Sequence, residues 1–234
     1  MESKELKDLK EKVYLANREL VSQGLVIQTW GNASGIDRQQ GLVVIKPSGL
    51  AYSRMRPRHM VAISLKTGQA IGGGLRPSSD TPTHLELYHA FKNIAGVVHT
   101  HSLNATVWAQ AGLEIPPLGT THADYFRGAV PCTRKLRPAE IRNGYERNTG
   151  KVIVQRFRTL DPLDIPAVLV LEHGPFVWGR TIEDAVDNAI VLEHVAKMAT
   201  ESLLMKPAIK GISRVLLDKH FLRKHGPGAY YGQK

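Results

Sequence analysis

Apolar residues at Leu6, Leu9, Val13, Ala16 and Leu20 recur at helical spacing, so they fall on one stripe with charged residues opposite, and Gly24 follows where a helix can stop. Short apolar runs at 25–27, 42–45 and 60–64, separated by glycine and proline, predict strands joined by tight loops. Thr81 as N-cap and Pro82 at the first helical position predict a helix that turns Leu87, Phe91 and Ile94 toward the core. A strand over 96–101 then runs into Ser102, a cap for a helix ending near Gly112. Further along, strands are predicted over 152–157 and 167–172. A helix from Thr181 carries Ile182, Val186, Ala189 and Ile190 on one face, and another covers 212–224. With no fixed-period repeat and no serine- or proline-rich linker, the pattern predicts one α/β domain over residues 1–234, without a dinucleotide-binding glycine fingerprint.

A chain of 234 residues removes about 70% of its unfolded surface from water on folding, enough for a real core. The 42% hydrophobic and 22% charged composition argues against disorder. The longest strictly apolar run, 167–171, is far too short to cross a bilayer, and the charged start has no apolar signal core, so neither a membrane span nor secretion is expected. A lone cysteine, Cys132, builds no disulfide framework and has no thiol partner for a zinc knuckle, which suits a reducing cytoplasm. The net charge of +10 raises the question of nucleic acid. Positive residues are nonetheless spread along the chain, and 6% aromatic content without interleaving gives no stacking platform, so no nucleic-acid partner is expected.

His99 and His101 are two apart in a predicted strand, where alternate side chains share a face. Alone, such a pair is as well explained by ordinary hydrogen bonding as by metal. Asp80, entering a helix, and His173, just after the apolar run at 167–171, extend the set to three imidazoles and a carboxylate, which suits zinc or a similar divalent ion open to substrate. Three loops, at 30–35, 46–49 and 77–80, offer small residues, hydroxyls and amide donors to an anion, although each alone reads as turn chemistry. His84, His89, His122, His194 and His225 are read as packing, capping or surface residues, and nothing around Cys132 argues for a nucleophile.

The run His-Thr-His-Ser at 99–102, preceded by Ser-Ser-Asp-Thr-Pro-Thr-His at 78–84, resembles the class II aldolase/adducin family. Gly-Thr-Thr-His-Ala-Asp-Tyr-Phe at 119–126, His-Gly-Pro-Phe at 173–176, and Asp-Lys-His-Phe-Leu-Arg-Lys-His-Gly at 218–226 with Ala-Tyr-Tyr-Gly-Gln at 229–233 resemble its members that epimerise a ketopentose phosphate. The resemblance runs along essentially the whole chain. It implies a central, mainly antiparallel β-sheet flanked by helices, and one zinc-type divalent ion per subunit held by Asp80, His99, His101 and His173. It places substrate phosphate and hydroxyls near Gly31, Asn32, Ser48, Gly49, Ser78 and Ser79, with Lys46 as a nearby positive charge. Asp124 and Tyr231 are implied to exchange protons with substrate, with Thr120, Glu146 and His220 in supporting positions.

The same resemblance implies a four-fold symmetric homotetramer with sites between neighbouring subunits, so the end of the chain bearing Tyr231 docks across an interface. The implied reaction interconverts L-ribulose 5-phosphate and D-xylulose 5-phosphate by retro-aldol cleavage between C3 and C4, rotation of the aldehyde and re-addition, with L-arabinose use as the leading pathway. An aldolase that releases the aldehyde is the nearest alternative. A non-enzymatic adducin-type module is the other, and the presence of Asp80, His99, His101 and His173 weighs against it.

Overall fold

The computed structural model describes residues 2–72 and 74–232. Its frame is a six-stranded sheet of β1 (Asn32–Asp37), β2 (Leu42–Ile45), β3 (Val61–Ser64), β4 (Gly96–His99), β5 (Ala167–Val170) and β6 (Gly174–Gly179). The spatial order is β3-β2-β1-β4-β6-β5, and every pairing is antiparallel. Helices α1 (Lys4–Ser22), α3 (Leu103–Ala111) and α7 (Ile182–Met205) contribute to a core that takes Ala33, Val44, Ala62, Val98, Leu169 and Val177 from one sheet face. Helices α2 (Thr81–Ala90) and α6 (Tyr145–Arg156) contribute to the second, with Val43, Ile45, Ile63, Val97, Val168, Phe176 and Trp178 from the other face. The alternation Val97/Val98 and Val168/Leu169 between the two cores is the two-residue period of a sheet buried on both sides. Short helices α4 (Thr120–Ala123) and α5 (Pro138–Arg142) and the last helix, α8 (Arg214–His225), complete the fold, α4 lying against α8. Among the described residues no helix is long and apolar enough to cross a membrane.

Two predicted strands are not strands. Residues 25–27 are irregular because Leu25 completes the end of α1: Gly24 takes φ +68°, its N–H bonds Val21 O at 3.0 Å, and Leu25 N–H bonds Leu20 O at 2.9 Å. The apolar run there is the hydrophobic contact of a helix terminus. Residues 152–157 belong to α6 and its end, although Val-Ile-Val favours extended backbone. Packing decides it, because Gly150 lets α6 approach α2 so closely that a Cβ there would lie 2.6 Å from Glu86 Cβ.

Of residues 30–35, read as a loop, 32–35 instead open β1, and its small side chains have a packing reason. Gly35, Gly96 and Gly179 stand side by side across β1, β4 and β6. A Cβ on any of them would strike Ile182, Thr181 or Asp184 at the start of α7. Asp80, not Thr81, occupies the cap position of α2, while Thr81 Oγ1 donates to Ser78 O at 2.6 Å. The other helix starts agree with the sequence: Ser102 and Gly112 flank α3, and Thr181 forms a capping box with Asp184.

Candidate active site

The antiparallel order brings four chain segments to one end of the sheet. β4 ends at His99, opposite the first residue of β1, Asn32; β2 ends at Ile45 and hands the chain to Lys46; and the turn between β5 and β6 carries His173. Ser78 N–H donates to Lys46 O at 3.0 Å and Ser48 N–H to Arg76 O at 2.9 Å, zipping the loops at 46–49 and 77–80 together. The result is a cavity of about 560 Å³ lined by Thr29, Trp30, Gly31, Asn32, Lys46, Ser48, Gly49, Ser78, Ser79, Asp80, His99, His101 and His173.

Ligand nitrogens of His99, His101 and His173 lie within 4.8 Å of one another. His99 Nδ1 donates to Pro175 O at 2.9 Å, which turns Nε2 toward the cluster, and that Nε2 is 3.1 Å from His101 Nε2. Phe176 stacks on the His99 ring at 4.1 Å and fixes its plane. Burial pushes the His101 imidazole down, and burial with the neighbouring imidazoles pushes His173 down to about 3. Imidazole nitrogens converging on one point are a donor set that fits a divalent cation. Asp80 lines the same cavity beside the three imidazoles, with Oδ2 accepting from Asn32 Nδ2 at 2.7 Å. Burial works to raise its carboxyl, but His99, His84, the Asn32 amide and His173 outweigh this and hold it below the ordinary value.

Lys46, 2% exposed, supplies the cavity's positive charge. Its Nζ donates to Thr29 O at 3.1 Å and Pro47 O at 3.4 Å, and burial lowers its pKa although Asp80 opposes this. Glycine geometry shapes the wall: Gly31 sits at φ +78°, where a Cβ would lie 2.9 Å from His99 O. Hydroxyls of Ser48 and Ser78 and the open backbone at Gly49 complete a surface suited to a hydroxylated anion.

The sequence pattern of the class II aldolase and adducin N-terminal domain matches residues 11–200. The chain belongs to that family. Relatives within it include the L-ribulose-5-phosphate 4-epimerase UlaF of Salmonella paratyphi C (strain RKS4594), 55% identical over 229 residues, which are 98% of this chain and 100% of the relative. The protein of the same name from Salmonella choleraesuis (strain SC-B67) matches to the same extent. Among solved structures, an L-fuculose 1-phosphate aldolase superposes with TM-score 0.77 at 21% identity, covering 94% of this chain and 96% of that one. An aldolase II superfamily protein from Pseudomonas syringae superposes with TM-score 0.76 at 16% identity, covering 97% and 90%. These structural likenesses carry the class II aldolase fold.

The remaining predicted residues of this family member stand outside the cavity. Asp124, at the end of α4, is gripped from α8: Arg223 donates to both its oxygens at 3.0 and 2.9 Å, and His220 Nδ1 lies 3.0 Å from Oδ1. Burial works to raise the Asp124 carboxyl, but Arg223, His220 and Lys224 hold it below the ordinary value. Tyr231 is 59% exposed, its ring against Arg223 and Lys224, so Asp124 and Tyr231 share a cationic neighbourhood. Thr120 is exposed at the start of α4, and Glu146 uses its backbone carbonyl to accept from Thr83 Oγ1 at 2.6 Å. Thr29 and Tyr145 beside the site escaped the sequence reading, and Trp30 entered it only as the first residue of the loop at 30–35. Trp30 lies half-exposed with its ring 6.1 Å from that of His101, Thr29 supplies a carbonyl to Lys46, and Tyr145 places its hydroxyl 3.3 Å from His173 Nδ1. The sequence signal for Thr29 and Tyr145 is adjacency to the loop at 30–35 and to Glu146.

Proposed function

We propose that this chain is an L-ribulose-5-phosphate 4-epimerase, interconverting L-ribulose 5-phosphate and D-xylulose 5-phosphate. The observation that carries the reading is one cavity combining the imidazoles of His99, His101 and His173 with a polar cradle of Gly31, Asn32, Lys46, Ser48, Gly49, Ser78 and Ser79. Relatives of that name at 55% identity over nearly the whole chain support the substrate. Inversion at C4 cannot proceed by simple proton removal, because that hydrogen is not adjacent to the C2 carbonyl. Cleavage of the C3–C4 bond avoids the obstacle. A base takes the C4 hydroxyl proton, the C3–C4 electron pair moves to C3, and the fragments are a dihydroxyacetone enediolate and glycolaldehyde phosphate. The aldehyde turns about its bond to the phosphate-bearing carbon, the C3–C4 bond re-forms on its other face, and a proton returns to the C4 oxygen.

His99, His101 and His173, with Asp80 as a fourth donor, would hold a divalent cation, zinc by the chemistry of the set, which supplies fixed positive charge against the negative charge that develops on cleavage. Lys46 and the two serine loops retain glycolaldehyde phosphate through its phosphate while the aldehyde turns, and retention separates an epimerase from an aldolase. Asp124 and Tyr231 serve as the two proton-exchanging groups on opposite faces of C4. Because neither lines the cavity of its own chain, the reading includes a homotetramer in which a neighbouring copy delivers them, with His220 orienting Asp124 and Thr120 and Glu146 in supporting positions. A cytoplasmic setting follows from such a metabolic role.

The test is a coupled assay of purified, metal-loaded protein with L-ribulose 5-phosphate that resolves D-xylulose 5-phosphate from free glycolaldehyde phosphate. Xylulose product without accumulating aldehyde is expected. Sustained release of both fragments would make the chain an aldolase, and absence of turnover by intact, metal-loaded protein would remove this substrate.

A further inference from the structure

Tyr52 lies behind the phosphate wall of the cavity rather than in it. It is 5% exposed and held to the scaffold by Arg18 of α1, whose guanidinium donates to the Tyr52 carbonyl at 3.2 Å. Its hydroxyl donates to Gly31 O at 2.9 Å, with Trp30 O also in reach at 3.2 Å. Its ring face lies 4.7 Å from Lys46 Nζ. One side chain therefore touches two separate parts of the cradle, the left-handed turn at Gly31 and the buried ammonium of Lys46.

Both parts need such support. The Gly31 turn is crowded by Val26 and by the His99 carbonyl, and it sets the entry of Asn32, whose amide reaches Asp80 and Ser78. Lys46 makes no ion pair among the described residues; its neighbours are two carbonyl oxygens and the Tyr52 ring. A π face steadies an ammonium without supplying an anion that would compete with phosphate. Burial raises the Tyr52 phenol, so the hydroxyl remains a donor to the turn at any working pH.

We propose that Tyr52 is a positioning residue for the phosphate end of this cavity, fixing the Gly31 turn through its hydroxyl and the Lys46 ammonium through its ring. The proposal rests on the placement of the sugar phosphate given above. It makes the two contacts separable, because Tyr52→Phe removes only the hydroxyl and Tyr52→Leu removes the ring as well.

The experiment measures KM and kcat for L-ribulose 5-phosphate and competitive inhibition by inorganic phosphate, for both substitutions in the native and Lys46→Met backgrounds. Tyr52→Phe is expected to raise KM and the phosphate inhibition constant about three- to tenfold with kcat little changed, in both backgrounds, since it acts through Gly31. The further step to leucine is expected to weaken phosphate about another fivefold when Lys46 is present and to have no effect in the Lys46→Met background. Equal effects of that step in both backgrounds, or losses confined to kcat, would overturn the proposal. If Lys46→Met raises both constants while the Tyr52 variants match wild type, the proposal fails and the phosphate placement stands. If inorganic phosphate does not compete and Lys46→Met leaves KM unchanged, the placement fails and the proposal with it. Should Tyr52→Leu not fold, Tyr52→Phe decides through the KM and inhibition constant alone.

Discussion

The Nε2 atoms of His99 and His101 face each other at 3.1 Å while His99 Nδ1 is committed to the Pro175 carbonyl. Ring nitrogens directed at one point offer each other no donor, so a divalent cation between them and His173 would stabilise the arrangement. Removing metal with a chelator is therefore expected to abolish turnover and lower Tm. Returning zinc at a hundredfold excess over its Kd should restore about 2.7 kcal/mol of stability. His99→Ala should lose most of the bound zinc, measured by elemental analysis of purified protein. Full zinc occupancy in that variant would count against the site.

His173 Nδ1 lies 3.3 Å from the Tyr145 hydroxyl oxygen, and the tautomer that donates its Nδ1–H to that oxygen keeps the Nε2 lone pair for a metal. Outer partners of this kind orient a ligating ring and raise its basicity. Tyr145→Phe is expected to weaken zinc about 10- to 100-fold in a competition titration against a chromophoric chelator, with Tm of the metal-free protein nearly unchanged. Unaltered zinc affinity would leave Tyr145 as a packing residue only.

Much of this architecture is legible before any coordinates. The helical stripe from Leu6 to Leu20 and the signals around Ser102, Gly112 and Thr181 give α1, α3 and α7 directly, because periodicity and capping are local properties. Residues 25–27 mislead because Leu25 seals the end of α1, and 152–157 mislead for a tertiary reason, since Gly150 lets an otherwise strand-like run dock as a helix on α2. Asp80, His99, His101 and His173 meet at one cavity, since strand ends on the same side of an antiparallel sheet converge. Tyr52 and Tyr145 could not be found that way, for their roles depend on contacts made across long sequence separations.

Gly31 combines a positive φ of +78° with a Cβ position 2.8 Å from Val26 Cγ1 and 2.9 Å from His99 O. An L side chain there meets both a backbone penalty and overpacking against a strand that cannot give. Gly31→Ala is expected to cost about 2–4 kcal/mol by urea denaturation and to raise KM through displacement of Asn32. A variant as stable as wild type would mean that the turn relaxes freely.

His122 is buried with Nε2 2.6 Å from Gly128 O and no partner on Nδ1 among the described residues. Burial lowers its pKa to about 4, and burial lowers that of fully buried His84 to about 3 despite Asp80. Both folded values lie below the ordinary 6.5, so the unfolded chain takes up protons that the folded protein refuses. Their contribution is fully present above about pH 6.5 and is lost as pH falls toward 4 and then 3, by at most about 2.7 kcal/mol per pH unit for the two together. Urea midpoints of metal-free protein should therefore drop between pH 7.5 and pH 5. A flat profile would show that these rings accept protons without unfolding.

Asp124 and Tyr231 lie outside the cavity that holds His99, although the proposed chemistry needs all three at one substrate. In a cyclic assembly each interface joins two different surfaces, so one copy can supply the imidazoles and its neighbour the proton-exchanging pair. His99→Ala and Asp124→Asn chains are each expected to be inactive as pure assemblies. Co-expressed in equal amounts, they place an intact cavity against an intact Asp124 at about a quarter of the interfaces, and activity should return to about that fraction of wild type. Complementation requires the two halves of a site to come from different chains. A mixture as inactive as its components, with mixed assemblies demonstrated by mass spectrometry, would place both halves within one chain and require α4 and α8 to move toward the cavity.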